Sequence, residues 1–158
     1  MDVSHWLWLC LAAYAIHMLE EYVLDWRDWA RAVIKLPVEW SDFYVTNSLV
    51  VVLGIVAANM STALPGFALS FPALMIINAL VFHILPVIRT RGRYSPGVFT
   101  AVVLFLPIAW LTFSAANRAG LLAIGTAIAA FVIGALLMAM PIVLLHIKSR
   151  PYFRQNKP

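Results

Sequence analysis

The chain predicts an all-α, polytopic membrane protein: five transmembrane helices plus one short interfacial helix, with the N-terminus outside and the C-terminus inside. Three observations carry that expectation. Of 158 residues, 63% are hydrophobic and only 11% charged, with a mean hydropathy of +0.90, whereas a soluble domain is about a quarter charged. The apolar residues come in long runs and do not alternate, which suits helices and not a transmembrane barrel. The basic residues fall almost entirely on one side of the predicted spans.

A span needs ~20 residues at 1.5 Å rise to cross ~30 Å of hydrocarbon. The first is expected at about 5–25. The opening MDVSH has no basic n-region and no A-x-A-like site follows, so this segment reads as a retained helix and not a cleaved signal. Residues 26–36, WRDWARAVIKL, are too polar to span. Trp26, Trp29, Ala30 and Val33 share a helical face, which suits a short interfacial helix with tryptophans at headgroup depth; a plain connector and a substrate gate are equally good readings.

The remaining spans are expected at about 41–60, 66–88, 96–116 and 119–147. Asn59 to Pro65 closes the second, RTRGRYSPG separates the third from the fourth, and AANRAG separates the fourth from the fifth. Ala130 and Gly134 suit close helix packing in the fifth. The whole of 1–158 reads as a single membrane domain. One side of it collects Arg27, Arg31, Lys35, Arg89, Arg91, Arg93, Lys148, Arg150, Arg154 and Lys157, and the other only Arg118. That asymmetry places the basic side in the cytoplasm and the protein in the cell membrane. The net charge of +4 is then a topology signal, and no nucleic-acid partner is expected. The lone Cys10 rules out an intrachain disulfide and a cysteine zinc site.

Within the first span, His17, Glu20 and Glu21 occupy positions i, i+3 and i+4, one helical face. A charge at the centre of a lipid-facing helix costs ~2.5–3.5 kcal/mol on insertion scales, so the cluster points to function. Topology gathers further polar residues at the same depth: Asn47 six residues into the second span, His83 six before Arg89, and His146 at the end of the fifth. Imidazole and carboxylate together suit Zn²⁺ or another divalent transition metal, whereas Ca²⁺ and Mg²⁺ prefer oxygen alone. A dinuclear centre needs more acids than are well placed here. One ion held by His17, Glu21 and His83, with His146 as a further ligand, leaves Glu20 as general base on a water the metal acidifies.

Several readings stay open. His146 beside Lys148 reads equally as ligand or headgroup-level residue. Glu20 and Glu21 could be interfacial carboxylates paired with Arg89 or Arg93, although that leaves His17 unexplained. Cys10, Tyr14 and Leu24 share the face of the cluster and would line an approach to it. Asn78 is five residues before His83, about 140° away on an ideal helix, so both face one point only if the helix bulges.

At these residues the chain resembles the small integral membrane proteins named for their HxxEE motif, here His17-Met18-Leu19-Glu20-Glu21. Asn78 and His83 look like the Asn and His that this family carries in a later hydrophobic segment. Tyr94-Ser95-Pro96-Gly97 matches its Tyr-x-Pro-Gly pattern. The resemblance covers most of the chain in the expected order. It implies a site drawn from these residues and names no reaction. Physically, Ser95 is a candidate N-cap and Pro96 a first-turn residue of the fourth helix. That helix start, beside Arg89, Arg91 and Arg93, would favour an anionic headgroup.

The leading expectation is an intramembrane enzyme near the cytoplasmic face: metal-dependent hydrolysis of a lipid or small apolar substrate, with Asn47, Asn78, Tyr14, Tyr94, Arg89 and Arg93 in binding roles. A metal-free Glu/His acid–base isomerase is the alternative within enzymes. A different class is a small proton- or metal-coupled transporter, for which a homo-oligomer would supply the missing symmetry, or a membrane interaction protein.

Overall fold

A computed structural model describes residues 2–148 and 150. Arg154 and Lys157 of the basic set lie outside the described residues. Six helices follow one another: α1 (Val3–Val23), α2 (Trp26–Val33), α3 (Trp40–Asn59), α4 (Pro65–Arg89), α5 (Val98–Arg118) and α6 (Ile124–Lys148). No strand occurs among the described residues.

Helices α3 to α6 are each long and apolar enough to cross a membrane. Helix α1 qualifies only together with α2, from which it is bent by 72°. The reason is chemical: the carboxylates near its end lower its mean hydropathy. The protein thus carries four or five membrane-length helices.

Local chemistry sets the boundaries. Asp2 caps α1 by accepting from His5 N at 2.9 Å. The chain leaves α1 through Asp25, whose left-handed φ of 54° redirects it into α2. The tryptophan face of α2 does not stand free: Trp29 and Ala30 pack with Val38 and with Leu145 of α6. Helix α5 ends where Gly120, at φ 70°, lets Leu121 N reach back to Ala116 O at 2.9 Å, a Schellman-type stop. This closure spends residues 119–123 in a turn, so α6 begins at Ile124 and not at 119.

Membrane-length segments consecutive in the chain pack antiparallel, whereas α4 and α6 run parallel, Gly66 lying near Ala129 and Gly134 near Ser70 and Leu74. Ser4 Oγ donates to Ala58 O at 2.9 Å, which ties the start of α1 to the end of α3. Gly134 provides the closest crossing of α4 and α6, since a Cβ there would lie 3.0 Å from Leu74 N and 3.1 Å from Ser70 O. The small-residue expectation for Ala130 and Gly134 is met in this contact. Leu7, Phe71, Leu74, Met75 and Phe105 fill the core between α1, α4 and α5.

Two helices change register beside the polar end of the bundle. Ala79–Ile84 in α4 and Ala101–Phe105 in α5 are π-helical, a form that occurs mostly as short bulges, often at functional sites. The first supplies the bulge that Asn78 and His83 require if they are to share a face.

Candidate metal centre and its cavity

His17 and Glu21, one turn apart on α1, meet His83 from the π-helical turn of α4. Glu21 Oε1 lies 3.6 Å from His17 Nε2 and 3.5 Å from His83 Nε2, and all three ligand atoms lie within 4.8 Å of one another. The residues are only 1%, 5% and 0% exposed respectively, so the two imidazoles are shut off from bulk solvent and Glu21 is nearly so.

Hydrogen bonds on the far side of each ring decide what faces this point. Thr100 Oγ1 donates to Glu20 Oε2 at 2.6 Å, because an ionised carboxylate can only accept. With its one hydrogen spent, that hydroxyl accepts from His17 Nδ1 at 2.8 Å. His17 Nε2 therefore keeps a lone pair. The second ring follows the same logic. Pro86 has no N–H for the carbonyl of Phe82, four residues back, and Ser95 Oγ donates to that oxygen at 3.4 Å. Ser95 then accepts from His83 Nδ1 at 3.2 Å. Both Nε2 atoms are buried without a hydrogen-bond partner. Two nitrogen lone pairs and a carboxylate oxygen thus converge in a dry site.

Glu20 turns the other way. It accepts from Tyr94 Oη at 2.5 Å, Gly97 N at 3.0 Å, Phe99 N at 3.3 Å, Thr100 N at 2.8 Å and Thr100 Oγ1 at 2.6 Å. These amides are the free donors at the start of α5, where negative charge is stabilised. The anion expected at that helix start is the chain's own Glu20 carboxylate. Gly97, and not Ser95, holds the N-cap position. Partial burial, and next its bond to Glu20, push the Tyr94 hydroxyl up to about 12, which keeps it a donor.

Gly97 has two reasons to be glycine. Its φ is 95°, a region that costs other residues roughly 1–2 kcal/mol. A Cβ there would lie 2.5 Å from His83 Cε1 and 2.8 Å from His17 Cε1. The T-shaped contact of the two imidazoles, with centroids 4.8 Å apart, exists because this corner is empty. Within Tyr94-Ser95-Pro96-Gly97, Tyr94 thus bonds to Glu20, Ser95 to His83, and Gly97 makes room for both imidazoles.

The other predicted residues divide. Tyr14 Oη donates to Asn47 Oδ1 at 2.6 Å, and Asn47 Nδ2 to Phe43 O at 3.0 Å. Tyr14, Asn47, Asn78 and Glu21 all line one partly open cavity of about 640 Å³, walled mainly by α3 and α6. Cys10 is sealed against Thr112, 3.3 Å from its Oγ1, and Leu24 is exposed; neither lines the cavity. His146 is exposed, with Nδ1 donating to Ile142 O at 2.7 Å, and is not part of the group formed by His17, Glu21 and His83. Arg89 and Arg93 are exposed, and neither forms an ion pair with Glu20 or Glu21. Thr100 was absent from the sequence reading, as was any second role for Ser95. Their signal is slight: a hydroxyl in the first turn of an otherwise apolar span.

No curated protein and no solved structure matches the chain. One family does, over residues 8–112, a stretch that contains the motif on α1, Asn78 and His83 on α4, and the Tyr-x-Pro-Gly turn. The chain belongs to this family, described as proteins of unknown function with an HXXEE motif.

Proposed function

We propose that the chain is an enzyme of the cell membrane in which His17, Glu21 and His83 hold one divalent transition-metal ion and direct hydrolysis of a lipid or small apolar substrate. One observation carries this reading: two buried imidazole lone pairs and a carboxylate oxygen point at one another with no proton donor between them. Three acceptors so placed repel unless a cation stands among them. Ligand atoms ~2.0–2.1 Å from a tetrahedral zinc ion are roughly 3.4 Å apart, close to the 3.5 and 3.6 Å separations seen here. Two histidines and one carboxylate also leave a coordination position open, as catalytic zinc sites do.

The ion supplies Lewis acidity for water and for a substrate carbonyl. The residues supply the rest. Thr100 and Ser95 fix both ring tautomers, the kind of outer support that keeps ligands oriented. Glu20, with both oxygens engaged, positions α5 and the His17 ring and does not act as the base. Glu21 lines the cavity and takes the proton from water, then returns it to the leaving group. Positive-inside charge supports a cytoplasmic orientation for this end of the bundle.

Metal analysis of the purified protein tests the proposal. About one equivalent should co-purify, fall away in His83→Ala, and remain in His146→Ala. If wild type carries no metal and added Zn²⁺ does not raise its melting temperature relative to His83→Ala, the metal reading is wrong. That outcome would favour the acid–base isomerase, in which Glu21 and the histidines exchange protons with the substrate.

A further inference from the structure

The cavity beside the cluster says something about the substrate. Its walls are Val50 of α3, Leu74 of α4, and Leu137, Met138, Pro141 and Ile142 of α6. At about 640 Å³ it falls within the ~300–1,000 Å³ of ordinary ligand sites. Along α6 its lining runs from Leu137 to Lys148, ~16 Å of helical rise, about half of a ~30 Å hydrocarbon core. It therefore matches the depth of one leaflet.

Its polar groups are few and uneven. Tyr14 and Asn47 satisfy each other. Trp26 and Asn78 do not: Trp26 Nε1 and Asn78 Oδ1 are buried without a hydrogen-bond partner, and both residues line the cavity. One lacks an acceptor and the other lacks a donor. Such groups are costly unless something pairs with them. The charged lining residues are Glu21, Asp42 and Lys148. Lys148 Nζ lies 2.7 Å from Asp42 Oδ1, so these two neutralise each other, and Glu21 belongs to the metal group. No unpaired charge remains to receive an ionic headgroup.

We propose that this cavity binds an uncharged single-chain lipid whose polar end carries both a hydrogen-bond donor and a carbonyl acceptor, the monoacylglycerol or fatty-amide class. The chain lies between α3 and α6, the donor meets Asn78 Oδ1, and the acceptor meets Trp26 Nε1. In the hydrolase reading the carbonyl is the group that meets Glu21, which lines the same cavity. That last step rests on the hydrolase reading, but binding of the lipid does not require the metal. A diacyl phospholipid is too large for the cavity, and among its lining side chains the one cation, Lys148, is already paired with Asp42 and is not free for a fatty-acid anion.

Photolabelling in nanodiscs separates the two ideas. The probe is a monoacylglycerol with a diazirine in mid-chain, compared with a diazirine fatty acid and a diazirine phosphatidylcholine. The monoacylglycerol should label α6 within residues 137–148 at least about tenfold more than either rival probe. Val50→Trp should abolish that labelling while leaving metal content intact. Should Val50→Trp misfold, Leu137→Trp fills the same space from the opposite wall. Asn78→Leu should reduce the preference for monoacylglycerol over a methyl ester of equal chain length by about 2- to 10-fold, the worth of one neutral hydrogen bond. Equal labelling by all three probes, or labelling unchanged in both tryptophan variants, overturns the lipid site. Labelling that survives His83→Ala and chelation, in a protein shown to carry no metal, leaves the lipid site standing and removes the metal.

Discussion

On one side of the His17–Glu21–His83 group, α5 begins with a turn in which nearly every polar atom is committed. Glu20 takes five hydrogen bonds, Thr100 and Ser95 hold the histidines, and Gly97 leaves no room for a Cβ. On the other side, α3 and α6 border a largely apolar cavity where Trp26 and Asn78 keep unpaired polar atoms. The contrast teaches a division of labour within one motif. Glu20 builds the closed side and Glu21 faces the open one, although they are adjacent in sequence. A preorganised wall holds the reacting groups still, and an apolar wall admits ligands of variable shape.

Substitutions on the two sides should behave differently. The largest effect is expected at Gly97. Gly97→Val adds roughly 1–2 kcal/mol of left-handed strain to ~1–3 kcal/mol of overpacking against both imidazoles. Thermal melting in detergent should show a severe loss or no folded protein. A variant that melts like wild type would mean that the closed side is far softer than its contacts imply.

The two glutamates provide the sharpest contrast. Glu20→Gln should destabilise by about 1–3 kcal/mol, since an amide nitrogen would face donors that need an acceptor. In metal-free protein Glu21→Gln should be neutral or stabilising, because its amide can donate to an unpaired Nε2, and it should lose the metal. Paired melts with and without chelator read both effects. Equal destabilisation by the two changes would erase the proposed division.

Thr100→Val tests the outer support alone. It leaves the ligands in place but removes the hydroxyl that orients His17, so metal affinity should fall about 10- to 100-fold, with the fold retained by circular dichroism. The smallest effect belongs to the mouth of the cavity. Lys148 is 58% exposed, and such pairs contribute only about 0–1 kcal/mol. Lys148→Gln should therefore barely change the melting temperature, and a drop comparable to that of Glu20→Gln would show that the open side is not held loosely at all.

Much of this was legible from residue order. Apolar runs found the long helices, and the spacing of His17, Glu20 and Glu21 marked the site. The requirement for a bulge between Asn78 and His83 followed from helical geometry before any fold was in hand. What misled was pairwise chemistry. Ser95 before Pro96 looks like an N-cap because local statistics favour it, yet its hydroxyl serves Phe82 and His83 across a helix boundary. His146 looks like a ligand because it shares a depth with the cluster, but depth is one coordinate of three.

By itself, then, the sequence determined which segments are long apolar helices and which residues of the first form the polar cluster. Periodicity, length and charge asymmetry are properties of one chain read along one axis. Only the tertiary structure decided which glutamate meets the histidines and which caps α5, and that Thr100 and Gly97 belong to the site. Those assignments depend on how α1, α4 and α5 rotate against one another, and that rotation is set by contacts among residues up to 102 positions apart.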